Sequence, residues 1–315
     1  MASSLDAHPS PVTSAMILAA GLGTRLDPLT RFLPKALVPV LNKPMLYWWL
    51  RKLRSYGIIN VVVNAHHLAD LLTLELNKLR LTFPDMTITL SLEETILGTG
   101  GGVKKGATNF IGPFFVVNGD IWTDIDLSLM ARRHLANKAA VTLAVLDRPA
   151  YATVSVANGN RIIGLRLPQD NRPPQEAARL CGLGVMVVNN EILDCLPIGF
   201  SDIIAEIAKI LDQHKILAYP SLTSFWSDMG SLSAYYELNR YLARNRVIGL
   251  NLAEVNGQIE GFAVLGQGAV IEKGAKVIDS ILWPKARVEE GAVIQKAIVV
   301  GQVAAQSKAQ DVYFN

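Results

Sequence analysis

Ala15–Ala20 reads AMILAA and passes without a polar interruption into Gly21-Leu22-Gly23. A strand that is apolar on both faces has to be covered on both faces, the environment of a parallel sheet layered between helices. The pattern repeats. Pro44 opens a helical segment carrying Tyr47, Trp49, Leu50 and Leu53, and Gly57 stops it. Val61–Asn64 is a second apolar run, Leu68–Leu79 has helical periodicity, and Thr87–Leu92 reads as a strand. Phe114–Asn118 is another buried strand, after the glycines of Gly98–Gly102. This alternation predicts an α/β chain with a doubly wound sheet. Ligands of such sheets bind beyond the carboxyl ends of the strands, which directs attention to the loops beginning at Gly21 and Gly119.

The later sequence changes character twice. Between Ala140 and Asn189 the connections are turn-rich and an antiparallel extension is expected, followed by helices near Ser201–Gln213 and Ser231–Arg246. From Ile259 to Gly301, glycines and small residues alternate with single aliphatics: Val264, Val270, Val277, Ile281, Val288, Val293 and Ile298. A repeat of about six residues predicts a short β-helix over 257–303 with each of these aliphatics pointing into a stacked core. Ile281-Leu282-Trp283 and Ala297-Ile298-Val299-Val300 concentrate apolar surface there. Such a stack exposes edges that the rest of the chain or a second copy must cover, so a homo-oligomer is expected. The expected divisions are a disordered leader over 1–13, a main domain over 14–250, the β-helix, and a tail over 304–315.

Composition narrows the function. The net charge of +3 is too small for a nucleic-acid surface, and pairs such as Lys104-Lys105 and Arg132-Arg133 read as solvated helix faces. Cys181 and Cys195 form no C-x-x-C pair and are expected to be reduced thiols. No apolar run approaches the ~20 residues that span a bilayer, and the first residues lack the basic start of a signal peptide. A cytoplasmic protein with no membrane partner is expected. The five histidines show no metal or triad spacing, His66-His67 reads as a surface or cap feature, and Tyr47-Trp48-Trp49 reads as core.

Four segments can carry chemistry. The first is Leu18-Ala19-Ala20-Gly21-Leu22-Gly23-Thr24-Arg25-Leu26, with Pro34-Lys35 downstream. Two glycines let backbone N–H groups cradle phosphate oxygens, Arg25 can fork onto a phosphate, and Lys35 adds a point charge. Leu26 stands where a dinucleotide fingerprint needs its third glycine, and the P-loop pattern is absent. The second segment, Val116-Val117-Asn118-Gly119-Asp120, presents a carboxylate at the ligand edge, although Asp in that place also serves as a turn or helix cap. The third, Trp226-Ser227-Asp228-Met229-Gly230, carries another carboxylate that could equally be an acid at a helix start. In the fourth, Glu93-Glu94-Thr95-Ile96-Leu97-Gly98-Thr99-Gly100-Gly101-Gly102, consecutive glycines invite a flat ligand, and either glutamate could accept from a base.

The run LAAGLGTRLDPLTRFLPKALVPVLNKPML closely resembles the N-terminal signature of sugar-phosphate nucleotidylyltransferases. The resemblance extends from about Ser14 to Gly301 and implies a Rossmann-like domain followed by a left-handed β-helix. It implies an NTP and a sugar 1-phosphate as substrates, joined with release of pyrophosphate, and Mg²⁺ held by Asp120 and Asp228. Arg25 and Lys35 would be catalytic. Ala20, Gly21, Gly23, Thr24, Arg25, Glu94, Gly98, Thr99 and Gly100 would contact the nucleotide, and Asn118, Gly119, Gly182 and Gly184 the sugar. Many relatives carry a Glu-Lys-Pro motif whose lysine grips the sugar phosphate. Gly164–Asp170 lacks it; Arg166 could substitute there or equally be a solvated surface arginine. The appended β-helix resembles the guanylyltransferase branch acting on mannose- or heptose-type sugars. GTGGG also resembles uridylyltransferases of amino sugars, and an inactive regulatory subunit is a further alternative. An acyltransferase working through the β-helix would need a histidine base, and none follows His214.

Overall fold

The computed structural model describes residues 8–165, 177–221 and 225–314. The chain forms two compact units, one from Met1–Gly23, Leu29–Leu37 and Leu46–Ser227, the other from Thr24–Pro28, Val38–Met45 and Asp228–Asn315. The second unit takes up the chain from Asp228 onward, and two short stretches of the N-terminal signature go with it.

The first unit is built on nine strands: β1 (Ser14–Leu18), β2 (Asn60–Ala65), β3 (Thr87–Leu92), β4 (Phe114–Asn118), β5 (Val141–Leu146), β6 (Val154–Val156), β7 (Ile162–Leu165), β8 (Ala178–Val188) and β9 (Ile216–Pro220). Their order is β7-β6-β8-β4-β1-β2-β3, with β5 on β8 and β9 on β5. The β3-β2-β1-β4 core is parallel, and β8 runs antiparallel to β4, β5 and β6, the expected extension. The helices are α1 (Met45–Ser55), α2 (Ala69–Thr82), α3 (Gly98–Gly106), α4 (Leu127–Ala136), α5 (Glu191–Cys195) and α6 (Ile203–Lys209). Asp126 and Asp202 start α4 and α6 by accepting from Leu129 N–H and Ala205 N–H, at 2.8 and 2.9 Å. Met16, Val62, Val116 and Met186 line one sheet face and pack with Val103 of α3 and Ile203 and Ile207 of α6. The chain steps from β1 to β2 to β3 on one side, then returns past β1 to β4 on the other. The switch point thus lies between β1 and β4, where the rule for open sheets places a ligand.

Within residues 8–13, expected as part of a disordered leader, Ser10 and Val12 are buried. Ser10 N–H donates to Tyr56 O at 2.7 Å, and Ser128 Oγ donates to Pro9 O. Trp49 is core, whereas Tyr47 and Trp48 are half-buried in a cluster of aromatic rings with Phe83 and Trp122.

The second unit contains α7 (Leu232–Ala243), the hairpin strands Pro39–Val40 and Lys43–Pro44, and two parallel sheets. One sheet joins Val247–Ile248, Gln258–Leu265, Lys276–Leu282, Val293–Val300 and Lys308–Phe314 in sequence; the other joins Glu254–Val255, Val270–Ile271, Arg287–Val288 and Gln302–Val303. Successive strands alternate between the sheets, so the chain coils. Lys308–Phe314 pairs with Val293–Val300, so the residues expected as a tail form a further rung.

The inward register differs from the expected one at five of the seven aliphatics. Val277 and Val288 do enter the stacked core, beside Ala263, Leu265, Ile271, Leu282, Ile294 and Val299. Val270 and Val293 are half-exposed, with Ile271 and Ile294 pointing inward instead. Val264, Ile281 and Ile298 alternate to the opposite face of their sheet, because side chains on a strand change face at each residue. They are nevertheless buried. On that side Tyr236 lies edge-on to Phe262 at 5.5 Å, and Trp283 Nε1–H donates to Tyr235 Oη, which donates to Pro39 O. The apolar layer that motivated an oligomer is thus covered by segments of its own unit. Among the described residues no helix is long and apolar enough to cross a membrane.

Candidate functional site

The first unit gathers its candidate residues at the carboxyl edge of the parallel strands. Leu18, the last residue of β1, stands opposite Asn118 of β4, and Gly119 N–H donates to Leu18 O at 2.9 Å. A Cβ on Gly119 would fall 2.8 Å from that same oxygen, so the glycine lets the two strand exits close on each other. Gly184 has φ +69°, and a Cβ there would sit 2.7 Å from Asn118 Nδ2 and 2.3 Å from Ile121 Cδ1. It lies where the pairing of β8 with β5 slips, between Gly182 and Met186. Asn118, Gly119 and Gly184 are therefore brought together. A Cβ placed on Gly182 would make an ordinary contact with Val154 Cγ2, at 3.8 Å. Arg166 lies outside the described residues.

The two glycines of the loop after β1 differ in kind. Gly23 has φ +68°, and a Cβ would meet Thr30 Cγ2 at 2.8 Å and Lys35 Cβ at 3.3 Å, while Thr30 Oγ1 donates to Gly23 O at 3.0 Å. A Cβ on Gly21 would meet nothing within 4 Å. The fold needs glycine at 23; at 21 it leaves room that the chain does not fill. Lys35 follows Pro34 at the start of a short 3₁₀ turn, Lys35–Leu37, and its ammonium donates to the Asp120 carboxylate. The lysine is the more buried partner, 13 % exposed against 25 %.

The glycine-rich segment is helical, and its own chain occupies the space its glycines leave. Gly98–Gly106 forms α3, with Gly100, Gly101 and Gly102 buried. A Cβ would fall 2.4 Å from Ser201 O at Gly98, 2.5 Å from Ser201 Oγ at Gly100, and 2.0 Å from Gly199 O at Gly101. Gly100 N–H donates to Ser201 O, Ser201 N–H to Leu97 O, and Ile203 N–H to Thr99 Oγ1. Residues 199–203 thus pack on the side where Gly98, Gly100 and Gly101 lack a side chain. Glu94, expected at the base, is exposed on the preceding turn, whereas Glu93 is 2 % exposed. Glu93 was the other candidate of that pair; Asn64, also 2 % exposed, carried no signal in the sequence beyond being a polar residue near the end of an apolar strand.

In the second unit, Arg25 Nη2 lies 3.9 Å from Asp228 Oδ2, with the arginine side chain 74 % exposed. A Cβ on Gly230 would meet Arg25 Nη1 and both Asp228 oxygens at 3.1 Å, so the last residue of Trp226-Ser227-Asp228-Met229-Gly230 keeps space for the pair. Asp228 is not an acid of the helix start, since α7 begins at Leu232 with Ser231 as its cap. Thr24 and Arg25 belong to a 3₁₀ turn, Thr24–Leu26. Among the described residues no group of three or more His, Cys, Asp or Glu side chains could hold a metal. Asp120 belongs to the first unit and lies beside Lys35; Asp228 belongs to the second and lies beside Arg25. A carboxylate is a hard oxygen donor of the kind Mg²⁺ takes, an ion that uses few protein carboxylates and draws its remaining ligands from phosphates and water. Cys181 and Cys195 are free thiols, and His66 Nδ1 meets Glu93 O at 2.9 Å.

A family model described as nucleotidyl transferase matches residues 14–245. A UTP–glucose-1-phosphate uridylyltransferase of Synechocystis sp. is 26 % identical over 324 aligned positions, covering 90 % of this chain and 82 % of the relative. A probable mannose-1-phosphate guanylyltransferase 2 of Oryza sativa subsp. japonica is 28 % identical over 295 positions, covering 90 % of this chain and 78 % of the relative. The crystal structure of HddC from Yersinia pseudotuberculosis has a similar fold, with TM-score 0.60 over 73 % of this chain and 100 % of that one, at 18 % identity.

Proposed function

The chain belongs to the nucleotidyl transferase family, and on that premise we propose that it transfers a nucleotidyl group from an NTP to a sugar 1-phosphate. An oxygen of the sugar phosphate attacks the α-phosphorus, the bond to the bridging oxygen of the β-phosphate breaks, and pyrophosphate leaves. The attacking phosphate is already anionic, so no protein nucleophile or general base is required. Catalysis is then positioning and charge stabilisation.

The observation that carries the reading is the unfilled space at Gly21, at the carboxyl edge beside the switch point, in the same unit as the Lys35–Asp120 pair. Backbone N–H groups of Ala20–Thr24 would hold the nucleotide phosphates. Arg25 and Lys35 each rest on a carboxylate, and a polyphosphate offers each a more highly charged partner. Arg25 would stabilise the α-phosphoryl group and Lys35 the reacting phosphates. Asn118, Gly119, Gly182 and Gly184 would border the sugar. Mg²⁺ held by Asp120 and Asp228 would neutralise phosphate charge. For Gly98, Thr99 and Gly100 packing against residues 199–203 accounts for the sequence, so their part in nucleotide binding would be indirect.

GTP with a mannose- or heptose-type sugar 1-phosphate is the favoured pair. It is supported by the coiled C-terminal sheets, which we read as a left-handed β-helix, and by the 28 % identity to a guanylyltransferase. UTP is the second reading, supported by the 26 % identity to a uridylyltransferase. Two free cysteines suit a reducing compartment such as the cytoplasm. The test is a matrix of five NTPs against several sugar 1-phosphates with Mg²⁺, scored by pyrophosphate release. Turnover with one pair well above the others is expected; no release with any pair overturns the assignment.

A further inference from the structure

Two buried polar side chains join the loop after β1 to the start of α3. Ala19 N–H donates to Asn64 Oδ1 at 2.6 Å, Asn64 Nδ2–H donates to Glu93 Oε1 at 2.7 Å, and Leu97 N–H donates to Glu93 Oε2 at 2.9 Å. Asn64 and Glu93 lie near the carboxyl ends of adjacent parallel strands, β2 and β3, and Glu93 N–H itself donates to Ala65 O. Polar groups this deep are costly unless hydrogen-bonded, and here each side-chain nitrogen and oxygen of the two residues has a partner. Gly102 makes the room: a Cβ there would fall 2.7 Å from Asn64 Nδ2 and 2.8 Å from Glu93 Oε1.

We propose that Asn64 and Glu93 are positioning residues, a hydrogen-bonded relay that fixes the backbone of the loop Ala19–Gly23 for nucleotide phosphates by tying it to α3. That purpose rests on the nucleotidyl-transfer reading; the relay itself does not. Leu18 O is held by Gly119 N–H from β4, and the next amide, Ala19 N–H, is held by Asn64 from β2. The chain therefore leaves β1 clamped from both neighbouring strands, and the direction in which Ala20 and Gly21 depart is set. Backbone donors act on phosphate in proportion to how well they are pre-aimed, so loosening this clamp affects nucleotide use more than sugar phosphate use.

The hydrogen-bond directions give a stringent test. Ala19 and Leu97 can only donate. Asn64→Asp sets two carboxylates against each other. Glu93→Gln leaves two N–H groups facing somewhere in the relay, whichever way the amides are flipped. The double variant Asn64→Asp/Glu93→Gln satisfies every bond again, because the new amide at 93 donates to the new carboxylate at 64. Each single variant should lower kcat/KM for the NTP at least tenfold, mainly by raising its KM, with the sugar-phosphate KM changed less than threefold. The double variant should return to within about threefold of wild type. Amide hydrogen exchange at Ala19 and Leu97 should quicken in the single variants and slow again in the double. Single variants with wild-type NTP kinetics, or a folded double variant no better than the poorer single, would overturn the proposal. If a single variant does not fold, recovery of folding and NTP kinetics in the double upholds the relay, and continued misfolding overturns it. A wild-type protein that turns over no NTP would end the functional reading, and with it the purpose given to the relay; the exchange pattern would still decide whether the relay exists.

Discussion

Gly23 and Thr30 hold each other in place: the threonine hydroxyl donates to the Gly23 carbonyl at 3.0 Å while its methyl stands 2.8 Å from where a Cβ on Gly23 would be. Gly21, two residues earlier, has no such neighbour. Gly23→Ala should therefore destabilise the protein by about 1–3 kcal/mol, from positive φ and the clash. Gly21→Ala should change stability by less than about 0.5 kcal/mol, like an ordinary surface substitution, yet depress NTP turnover. Urea unfolding together with the pyrophosphate assay separates the two. Unimpaired turnover in folded Gly21→Ala would remove the argument for a ligand at that space.

The two base–carboxylate pairs predict different losses. Arg25→Ala should lower kcat by about 10²–10³-fold, the scale for one preorganised charge donor, and Arg25→Lys should rescue little because a point charge does not reproduce the fork. Its side chain is 74 % exposed, so thermal stability should hardly move. Asp120→Asn and Asp228→Asn should each cost most of the turnover, the loss being greatest at limiting Mg²⁺. Full activity of Arg25→Lys, or of either asparagine variant under limiting Mg²⁺, would show that these pairs are structural.

Stability of the C-terminal unit should depend on Tyr235. Its hydroxyl accepts from Trp283 Nε1–H at 3.1 Å and donates to Pro39 O at 2.8 Å, and burial pushes the phenol well above its ordinary pKa. Tyr235→Phe leaves a buried N–H and a carbonyl without that partner and should cost about 1–3 kcal/mol. Trp283→Phe removes the donor, so the double variant should cost less than the sum of the two. Strict additivity in urea unfolding would mean that the bond contributes nothing.

His134 predicts a pH response. It is buried, with Nδ1 2.9 Å from Thr142 Oγ1 and Nε2 2.9 Å from Asn189 Oδ1, and Asn189 Nδ2–H donates to Ala139 O. With that amide orientation, Nε2–H donates to Asn189 and Nδ1 accepts from Thr142, a neutral ring. Burial lowers its pKa from 6.5, partly offset by the bond to Asn189. The unfolded chain therefore takes up the proton first as pH falls. The stabilisation is complete above pH 6.5 and declines below it, by up to about 1.4 kcal/mol per pH unit, until the folded ring also protonates. Unfolding free energies between pH 8 and 5 should lose this slope in His134→Gln. An identical pH profile in the variant would rule His134 out as its source.

The glycines of α3 mark where local reading fails. Five of its nine residues are glycine, the composition of a loop, each costing roughly 1 kcal/mol against alanine in a helix. Docking on residues 199–203, about a hundred positions away, offsets that and makes the absent side chains necessary. In the coils, Val264 and Leu265 are both apolar, and which of them faces the stacked core is a matter of register, which a glycine-rich repeat with irregular spacing does not fix. Glu93 and Glu94 are chemically alike, and burial beside Asn64 distinguishes them.

By itself the sequence determined what depends on neighbours along the chain: the doubly buried strands, the helices between them, the antiparallel extension, the glycine loop after Leu18 and the acid after Gly119. These are set by periodicity and backbone freedom, both local. The tertiary structure alone decided which distant groups meet. It set Lys35 on Asp120 and Arg25 on Asp228, joined Asn64 to Glu93, drew Thr24–Pro28 and Val38–Met45 into one compact unit with Asp228–Asn315, and covered the apolar layer around Trp283 with Tyr235. Partners separated by dozens to hundreds of residues leave no trace in local pattern, because the free energy that selects them comes from burial and hydrogen bonding in the assembled fold.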